Sequence, residues 1–288
     1  MNDISLQQLL EAGCHFGHKA ERWHPKAGDY IYTKKDGIHI IDLVKTKEGL
    51  ERAAAFVRDL AAAGSQLLLV ATKRQAKEIV KAEAIRIAAP YVTERWIGGF
   101  LTNWEGIQNT IKKINRLTDE EKTDVWKKFP KHERVKLGRY LKRLNFFYSG
   151  VVSLTEKPAA LFLIDLKKES VALREAVRTD VPVVAIVDTN VDPVDVTYPI
   201  PANDDAVGSI TIITKTIADA YEEGKKMGEK GAEVAPVGKP IEKTEEHEEG
   251  KTKETKEAVK KSRGRPASTR ADASSTRGGP KKDTKQEV

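Results

Sequence analysis

Three short, uninterrupted apolar segments constrain the fold of this chain more than any other feature of its sequence. They cover residues 67–70, 160–164 and 183–187, and segments with a helical pattern separate them. Strands that are apolar on both faces are typical of parallel sheets with helices packed against each side. The alternation therefore predicts an α/β fold with a doubly wound parallel sheet.

The segments around these strands complete a coarse prediction of secondary structure. A capping box at Ser5 begins a short helix that ends at Gly13, and Asp36-Gly37 marks the turn of a β-hairpin over residues 30–41. A further short strand is expected at 91–92. Helices are predicted over residues 46–63, 75–88, 170–178 and 206–222.

Residues 103–149 have a different pattern and are predicted to form an insertion. Two apolar stripes recur there at spacings of three and four residues, as in coiled-coil helices, and Pro130 separates them. The pattern predicts an antiparallel coiled-coil helical hairpin. The two stripes consist of Trp104, Ile107, Ile111 and Ile114, and of Leu137, Leu141, Leu144 and Tyr148.

Charge is distributed unevenly along the chain, whose formal net charge is +7. Residues 103–149 hold twice as many Lys and Arg as Asp and Glu, whereas the α/β core, residues 1–102 and 150–227, is slightly acidic. Residues 228–288 are poor in apolar side chains and rich in charge, a composition that predicts a disordered tail. A basic insertion and a basic tail on a nearly neutral body favour a polyanionic partner.

Several kinds of chemistry are excluded or weakened by the sequence. Neither the dinucleotide-binding nor the P-loop glycine motif is present, no serine lies in a nucleophile elbow, and Cys14 is the single cysteine. We therefore predict no catalytic residue. No apolar segment reaches the roughly 18–20 residues that a membrane span needs, so we predict no membrane partner. Lys73 and Arg74, which follow the first parallel strand, are expected either to bind one phosphate or to face solvent.

A metal site is one of two interpretations of the polar residues at the strand ends. Asp188 follows one predicted strand, Asp204 precedes the last helix, and His18 is a nearby candidate ligand, so the three residues could share a zinc or magnesium ion. Alternatively, Asn203 caps the helix while Asp204 and Asp205 interact favourably with its dipole. No cofactor is predicted to be required.

Seven motifs, taken in order, resemble one protein family. They are the hexapeptide 13–18, Lys26 after 23–25, 38–46, 72–74, 95–103, 187–193 and 200–206, the longest being Arg-Trp-Ile-Gly-Gly-Phe-Leu-Thr-Asn. In order and spacing they are similar, across about residues 3–226, to the bacterial small-subunit ribosomal protein S-two family.

The resemblance implies a flavodoxin-like, three-layer core with a protruding coiled-coil hairpin. It also implies a structural, non-enzymatic constituent of the cytoplasmic ribosome that contacts small-subunit rRNA between the head and the body. Members of the family help to recruit the mRNA-binding protein S-one, so other ribosomal proteins are expected partners and a small-molecule substrate is not. The chain departs from the family at two places. It has Tyr148-Ser149-Gly150-Val151 where the family usually has a Met-Gly-Gly-Leu-like stretch, and Ala202 where the family usually has glycine.

The residues expected to bind rRNA are the basic side chains of the hairpin and of the loops beside it. Trp96 could stack on a base, although burial under the sheet is the stronger expectation. The alternative is an α/β enzyme that binds a phosphorylated small molecule at Lys73, Arg74 and Asp188. A role as a protein adaptor that uses Trp126, Phe129, Phe146 and Phe147 is compatible with rRNA binding, unless these aromatic residues only pack the hairpin. The predicted rRNA-binding residues are Lys73, Arg74, Arg95, Lys112, Lys113, Arg116, Arg139, Lys142 and Arg143.

Overall fold

The N-terminal part of the chain forms a short helix and a small antiparallel sheet. A computed structural model describes residues 4–233. The helix α1 (Leu6–Glu11) has the predicted capping box at Ser5. It is followed by β1 (Phe16–Lys19), β2 (Ile31–Lys35) and β3 (Ile38–Ile41), paired in the order β1-β3-β2. The predicted hairpin is confirmed as β2 and β3, whereas β1 was not predicted.

The centre of the fold is a parallel sheet of five strands, as the apolar segments predict. Its spatial order is β5-β4-β6-β7-β8, and every neighbouring pair is parallel. If the five strands of this sheet are renumbered 1 to 5 in chain order, their spatial order is 2-1-3-4-5, which is the order of flavodoxin-like folds. The strands are β4 (Leu67–Val70), β5 (Tyr91–Val92), β6 (Ala160–Leu163), β7 (Val183–Val187) and β8 (Tyr198–Pro201).

Helices cover both faces of this sheet, which explains why its strands are apolar throughout. Along β4, Leu67 and Leu69 pack into one cluster, and Leu68 and Val70 pack into another. The helices are α2 (Leu43–Ala62), α3 (Lys77–Arg86), α4 (Trp104–Lys122), α5 (Lys131–Tyr148), α6 (Ser170–Arg178) and α7 (Val207–Glu233). Residues of α2, α3 and α7 belong to the first cluster, and residues of α6 and of the start of α4 belong to the second.

The strand β8 was missed because two of its four residues are proline. Pro199 and Pro201 lack the N–H group that a central strand needs, and such residues argue against a strand when the sequence is considered alone. Among residues 4–233, β8 lies at an edge of the sheet and pairs only with β7. An edge position tolerates proline because one side of the strand has no partner.

The last helix continues to Glu233, past the predicted end at Glu222 and past the predicted core boundary at 227. Gly224 and Gly228 lie where α7 contacts α2. A Cβ atom at Gly228 would be 2.7 Å from the carbonyl oxygen of Ala62, and one at Gly224 would overlap that of Arg58. Glycine is therefore required here by close helix packing. The prediction of a disordered tail from residue 228 is wrong for residues 228–233, which are helical, and the rest of that tail lies outside the described residues.

Two long helices are present in the predicted insertion. α4 and α5 flank a short 3-10 helix, Val125–Lys128, and Pro130 immediately precedes α5. The predicted apolar stripe of α4 is buried from Ile107 onward, and Leu141 is buried on α5. No helix among the described residues is long and apolar enough to cross a membrane.

Candidate functional site

The six basic residues predicted on the insertion lie on α4 and α5, and all of them are exposed. Two have partners within the insertion. Lys113 Nζ donates a hydrogen bond to the Tyr140 hydroxyl at 3.1 Å, and Arg116 Nε is 3.4 Å from Glu120 Oε1. Within residues 4–233, no carboxylate pairs with Lys112, Arg139, Lys142 or Arg143. The insertion thus presents a basic surface whose cations are largely uncompensated.

Two predicted cations of the body are also exposed. Arg74 follows β4 and Arg95 follows β5, so both lie beyond the carboxyl edge of the parallel sheet. Arg95 and Arg143 of α5 line the same groove at the base of the insertion. Arg95 is therefore placed next to the basic surface of the helices.

Lys73 differs from the other predicted RNA-binding residues because its ammonium group is already surrounded by carboxylates. It lies 2.8 Å from Asp204 Oδ1, 2.7 Å from Asp205 Oδ1 and 3.4 Å from Asp165 Oδ2, and the residue is only 9 % exposed. Burial alone would lower the pKa of Lys73, but hydrogen bonds to Asp204 and Asp205 raise it overall. A phosphate could bind Lys73 only by displacing these carboxylates.

The loop between β5 and α4 is held in place by one buried carboxylate, Glu175 of α6. Its Oε1 accepts hydrogen bonds from Trp96 Nε1 at 3.1 Å and from the Gly99 amide at 2.8 Å. Its Oε2 accepts from the amides of Leu101 at 3.0 Å and Thr102 at 3.4 Å. Burial acts to raise the pKa of Glu175, but these bonds outweigh it and lower the pKa. Glu175 therefore fixes the loop that carries Arg95 and Trp96.

Trp96 is 7 % exposed, and its ring centroid lies 5.0 Å from that of Phe100. The expectation that it is buried is thus confirmed. The role of Glu175 was missed in the sequence. The sequence contains one signal of this role: Glu175 is a charged residue on the otherwise apolar face of α6, beside Ala172 and Ala176.

A second group of polar residues lies at the carboxyl edge of the sheet. Asp188 follows β7, Asp204 follows β8, and His18 reaches them from β1. The two carboxylates are each 2 % exposed. One ligand atom from each of the three residues lies within 4.8 Å of the others. The structure therefore brings together the three residues predicted as metal ligands.

His18 joins the small N-terminal sheet to this edge of the central sheet. Its Nδ1 is 3.1 Å from Asp188 Oδ1, its Nε2 is 3.5 Å from Asp205 Oδ2, and its backbone amide donates to Thr189 Oγ1 at 2.9 Å. The hydrogen bond to Asp188 raises the pKa of His18 despite partial burial. The imidazole thus bridges two acidic residues of the strand-end loops.

Burial raises the pKa of Asp204 to about 6, with a further contribution from the nearby charge of Asp188. Asp165 completes the cluster from the end of β6, where it adopts a left-handed backbone conformation with φ of 68°. It was not singled out in the sequence, although it follows an apolar strand as Asp188 does. The cluster brings several carboxylates close together, and Lys73 and His18 partly neutralise their negative charge.

The helix cap predicted at Asn203 is observed only as a turn that precedes the helix. Its Oδ1 accepts hydrogen bonds from the amides of Asp205 at 2.8 Å and Ala206 at 3.1 Å, immediately before α7. Asn203 therefore closes the turn before α7 and does not bond the amides of the helix, which begins at Val207. The turn and the cluster coexist, because the Asp204 carboxylate bonds Lys73 while Asn203 holds the turn.

The aromatic residues considered for a protein adaptor differ in exposure, so they do not form one exposed surface. Trp126 is 7 % exposed and packs with Ile114, Leu117 and Leu141 inside the insertion. Phe146 is 56 % exposed, and its ring meets that of Phe147 edge to face at 5.0 Å. Exposed aromatic surface is thus present at the base of α5.

These observations define a class of protein: an α/β body with flavodoxin-like strand order that carries a basic helical extension. The chain matches the family described as Ribosomal protein S2 over residues 9–224. It is also 49% identical over 223 residues to the small ribosomal subunit protein uS2 of Coprothermobacter proteolyticus, an alignment that covers 77% of this chain and 83% of that protein. The chain therefore belongs to the ribosomal protein S2 family.

Family membership excludes one of the alternatives that the sequence left open. The chain is a ribosomal protein, located at the ribosome in the cytoplasm, and not an enzyme. The alternative of an α/β enzyme that binds a phosphorylated small molecule at Lys73, Arg74 and Asp188 is therefore wrong. The geometry gives a physical reason, because Lys73 is already paired with carboxylates.

Proposed function

We propose that this chain is a structural constituent of the small ribosomal subunit that binds rRNA between the head and the body and supports recruitment of protein S-one. Its relative from C. proteolyticus is named as a small-subunit protein. The position and the partner S-one come from the family resemblance. The observation that carries rRNA binding is the basic surface of α4 and α5, where, among the described residues, five of the six predicted cations have no carboxylate partner.

In this proposal the insertion acts as a rigid extension that places cations against phosphates. Ile114 and Leu117 of α4 pack with Leu141 of α5, and we propose that the helices pair as an antiparallel coiled coil. Lysine and arginine on the outer surfaces then contact the RNA backbone. Duplex RNA is recognised mainly by its shape and backbone, so base-specific contacts contribute little.

Arg74 and Arg95 extend the same contact onto the body, because both are exposed beyond the carboxyl edge of the sheet. Lys73 has a different role in this proposal: it neutralises Asp204 and Asp205 and so stabilises the loops that present the neighbouring cations. The exposed ring of Phe146 offers apolar area to neighbouring ribosomal proteins.

The salt dependence of rRNA binding tests this proposal. If about six phosphates are neutralised, the logarithm of the association constant should fall with the logarithm of salt concentration with a slope of about −4 to −5. Filter binding of the full chain to small-subunit rRNA at several salt concentrations measures this slope. An association constant that does not change with salt would contradict the proposal.

We also propose that His18, Asp188 and Asp204 bind a divalent ion. One imidazole and two carboxylates suit zinc better than magnesium, which prefers oxygen ligands. Zinc would supply positive charge in addition to that of Lys73 and would hold the N-terminal sheet against the loops that follow β7 and β8. Binding requires His18 to release the proton that its raised pKa favours.

Calorimetric titration with zinc chloride tests the metal proposal. We expect one site per chain, with affinity lowered at least about tenfold by Asp188→Asn, because the substitution removes one ligand charge. Asp192→Asn is the matched control, since Asp192 forms an ion pair with Lys26 outside the cluster. Equal zinc affinity in the two variants would show that the cluster is an ion-pair network only.

A further inference from the structure

A groove at the base of the insertion has the chemistry of a nucleotide-binding surface. Its volume is about 530 Å³, within the roughly 300–1,000 Å³ of ligand pockets. One wall is the loop after β5, and the other is the side of α5 that faces the body. The lining residues are Arg95, Trp96, Ile97, Gly98, Tyr140, Arg143, Leu144, Phe147 and Tyr148.

In the described part of the chain, the lining combines ring surfaces with cations and includes no carboxylate. Tyr140 and Phe147 contribute aromatic rings from α5, while Arg95 and Arg143 are exposed on the two opposite walls. Aromatic rings stack on nucleobases, and guanidinium groups bind phosphates or stack on bases as well. Of the described residues, none forms an ion pair with either arginine. The groove is thus complementary in charge to a nucleic-acid backbone.

The shape of the groove favours an unpaired nucleotide over a duplex. Bases within an RNA duplex are stacked and cannot enter a cleft, whereas bases in loops and bulges can be splayed onto aromatic side chains. The wall formed by the loop is preformed, because Glu175 binds Trp96 Nε1 and the Gly99 amide. A preformed wall lowers the entropic cost of binding.

We propose that this groove binds an unpaired nucleotide of the RNA, with its base against Tyr140 and Phe147 and its phosphates between Arg95 and Arg143. The inference rests on the proposed rRNA-binding function and assigns to this one surface the recognition of single-stranded RNA. The outer surfaces of the two helices contact duplex backbone.

Gly98 lines the groove, so a larger side chain there adds bulk at its wall without changing its charge. A Cβ atom at Gly98 would have no neighbouring atom within 4 Å, so a larger side chain extends into open space. Gly138 of α5 also has open space, and it lies outside the lining of the groove. Gly98→Leu and Gly138→Leu are therefore a matched pair, and thermal unfolding of both variants reports whether they fold.

The experiment measures binding of the full chain to two fluorescent probes: a uridine decamer and a ten-base-pair G·C RNA duplex. We expect Gly98→Leu to weaken binding of the decamer about tenfold or more, as loss of stacking on one base implies, and to leave duplex binding unchanged. Gly138→Leu should bind both probes as the unmodified chain does.

The outcomes separate this inference from the function on which it rests. If charge reversal on α4 and α5 weakens binding of both probes and Gly98→Leu weakens neither, the groove proposal is wrong and rRNA binding stands. If charge reversal also has no effect, the proposed function itself fails. A Gly98→Leu chain that binds both probes normally but loses a neighbouring protein in reconstituted subunits would assign the groove to a protein side chain and contradict the proposal.

Discussion

Reversing Lys112, Arg116, Arg139 and Arg143 to glutamate is expected to lower the affinity for small-subunit rRNA by about 1,000-fold at low salt. We expect each lost phosphate contact to cost roughly 1 kcal/mol, so that four lost contacts cost about 4 kcal/mol, which corresponds to a roughly 1,000-fold change in affinity. The salt slope should also become shallower by about 3, because each contact contributes about 0.7 to 0.9. Filter binding with labelled rRNA measures both quantities.

The fold should survive this reversal, since all four side chains are exposed and the apolar contacts between α4 and α5 are unchanged. A control with the same charge change reverses one exposed cation on each of four body helices. It should retain most of the affinity, and an equal loss in the control would mean that net charge rather than the insertion determines binding. The control residues are Arg52, Lys81, Arg174 and Lys215.

Replacing Glu175 with alanine is expected to lower the free energy of unfolding by about 3–5 kcal/mol. The carboxylate accepts hydrogen bonds from Trp96 and from the amides of Gly99 and Leu101. Buried donors left without an acceptor cost about 1–3 kcal/mol each. Urea denaturation at pH 7 measures the change, and Glu78→Ala, at an exposed site on α3, should change stability by less than about 0.5 kcal/mol.

The effect of Glu175 should depend on pH in a defined direction. Its pKa in the folded chain lies below the ordinary value of 4.5, so the ionised form stabilises the fold. That contribution is complete above the unfolded-state pKa and is lost as the pH falls through the lower folded-state pKa. Glu175→Gln, which keeps the side-chain volume, should therefore destabilise strongly at pH 7 and progressively less below pH 4.5. A pH-independent loss would mean that packing, not charge, holds the loop.

Those parts of the fold that follow from local patterns could be predicted from the sequence. The apolar segments at β4, β6 and β7 indicated a parallel sheet, and α6 was predicted with its observed bounds, Ser170–Arg178. The failures came from residues whose role depends on their neighbours in space. Prolines are tolerated in β8 because it lies at an edge, and the glycines of α7 permit contact with α2 instead of ending the helix.

The candidate sites show the same limit. Charges spaced along a helix reveal an exposed surface, so the cations of α4 and α5 could be predicted from sequence alone. Lys73 resembles them in sequence but is enclosed by Asp204 and Asp205, which are distant in the chain. Glu175 gave little signal, because its partners are backbone amides of a loop about 75 residues away. Long-range pairing of this kind appears only once the chain is folded.

Co-sedimentation of the chain with ribosomes tests the central claim most directly. A lysate of the source cells is separated on sucrose gradients at low and at high salt, and each fraction is probed for this chain. We expect the chain in the small-subunit fraction at low salt and its partial release at high salt, because phosphate contacts weaken as salt rises. A chain that stays at the top of the gradient at low salt, apart from the small subunit, would contradict the account.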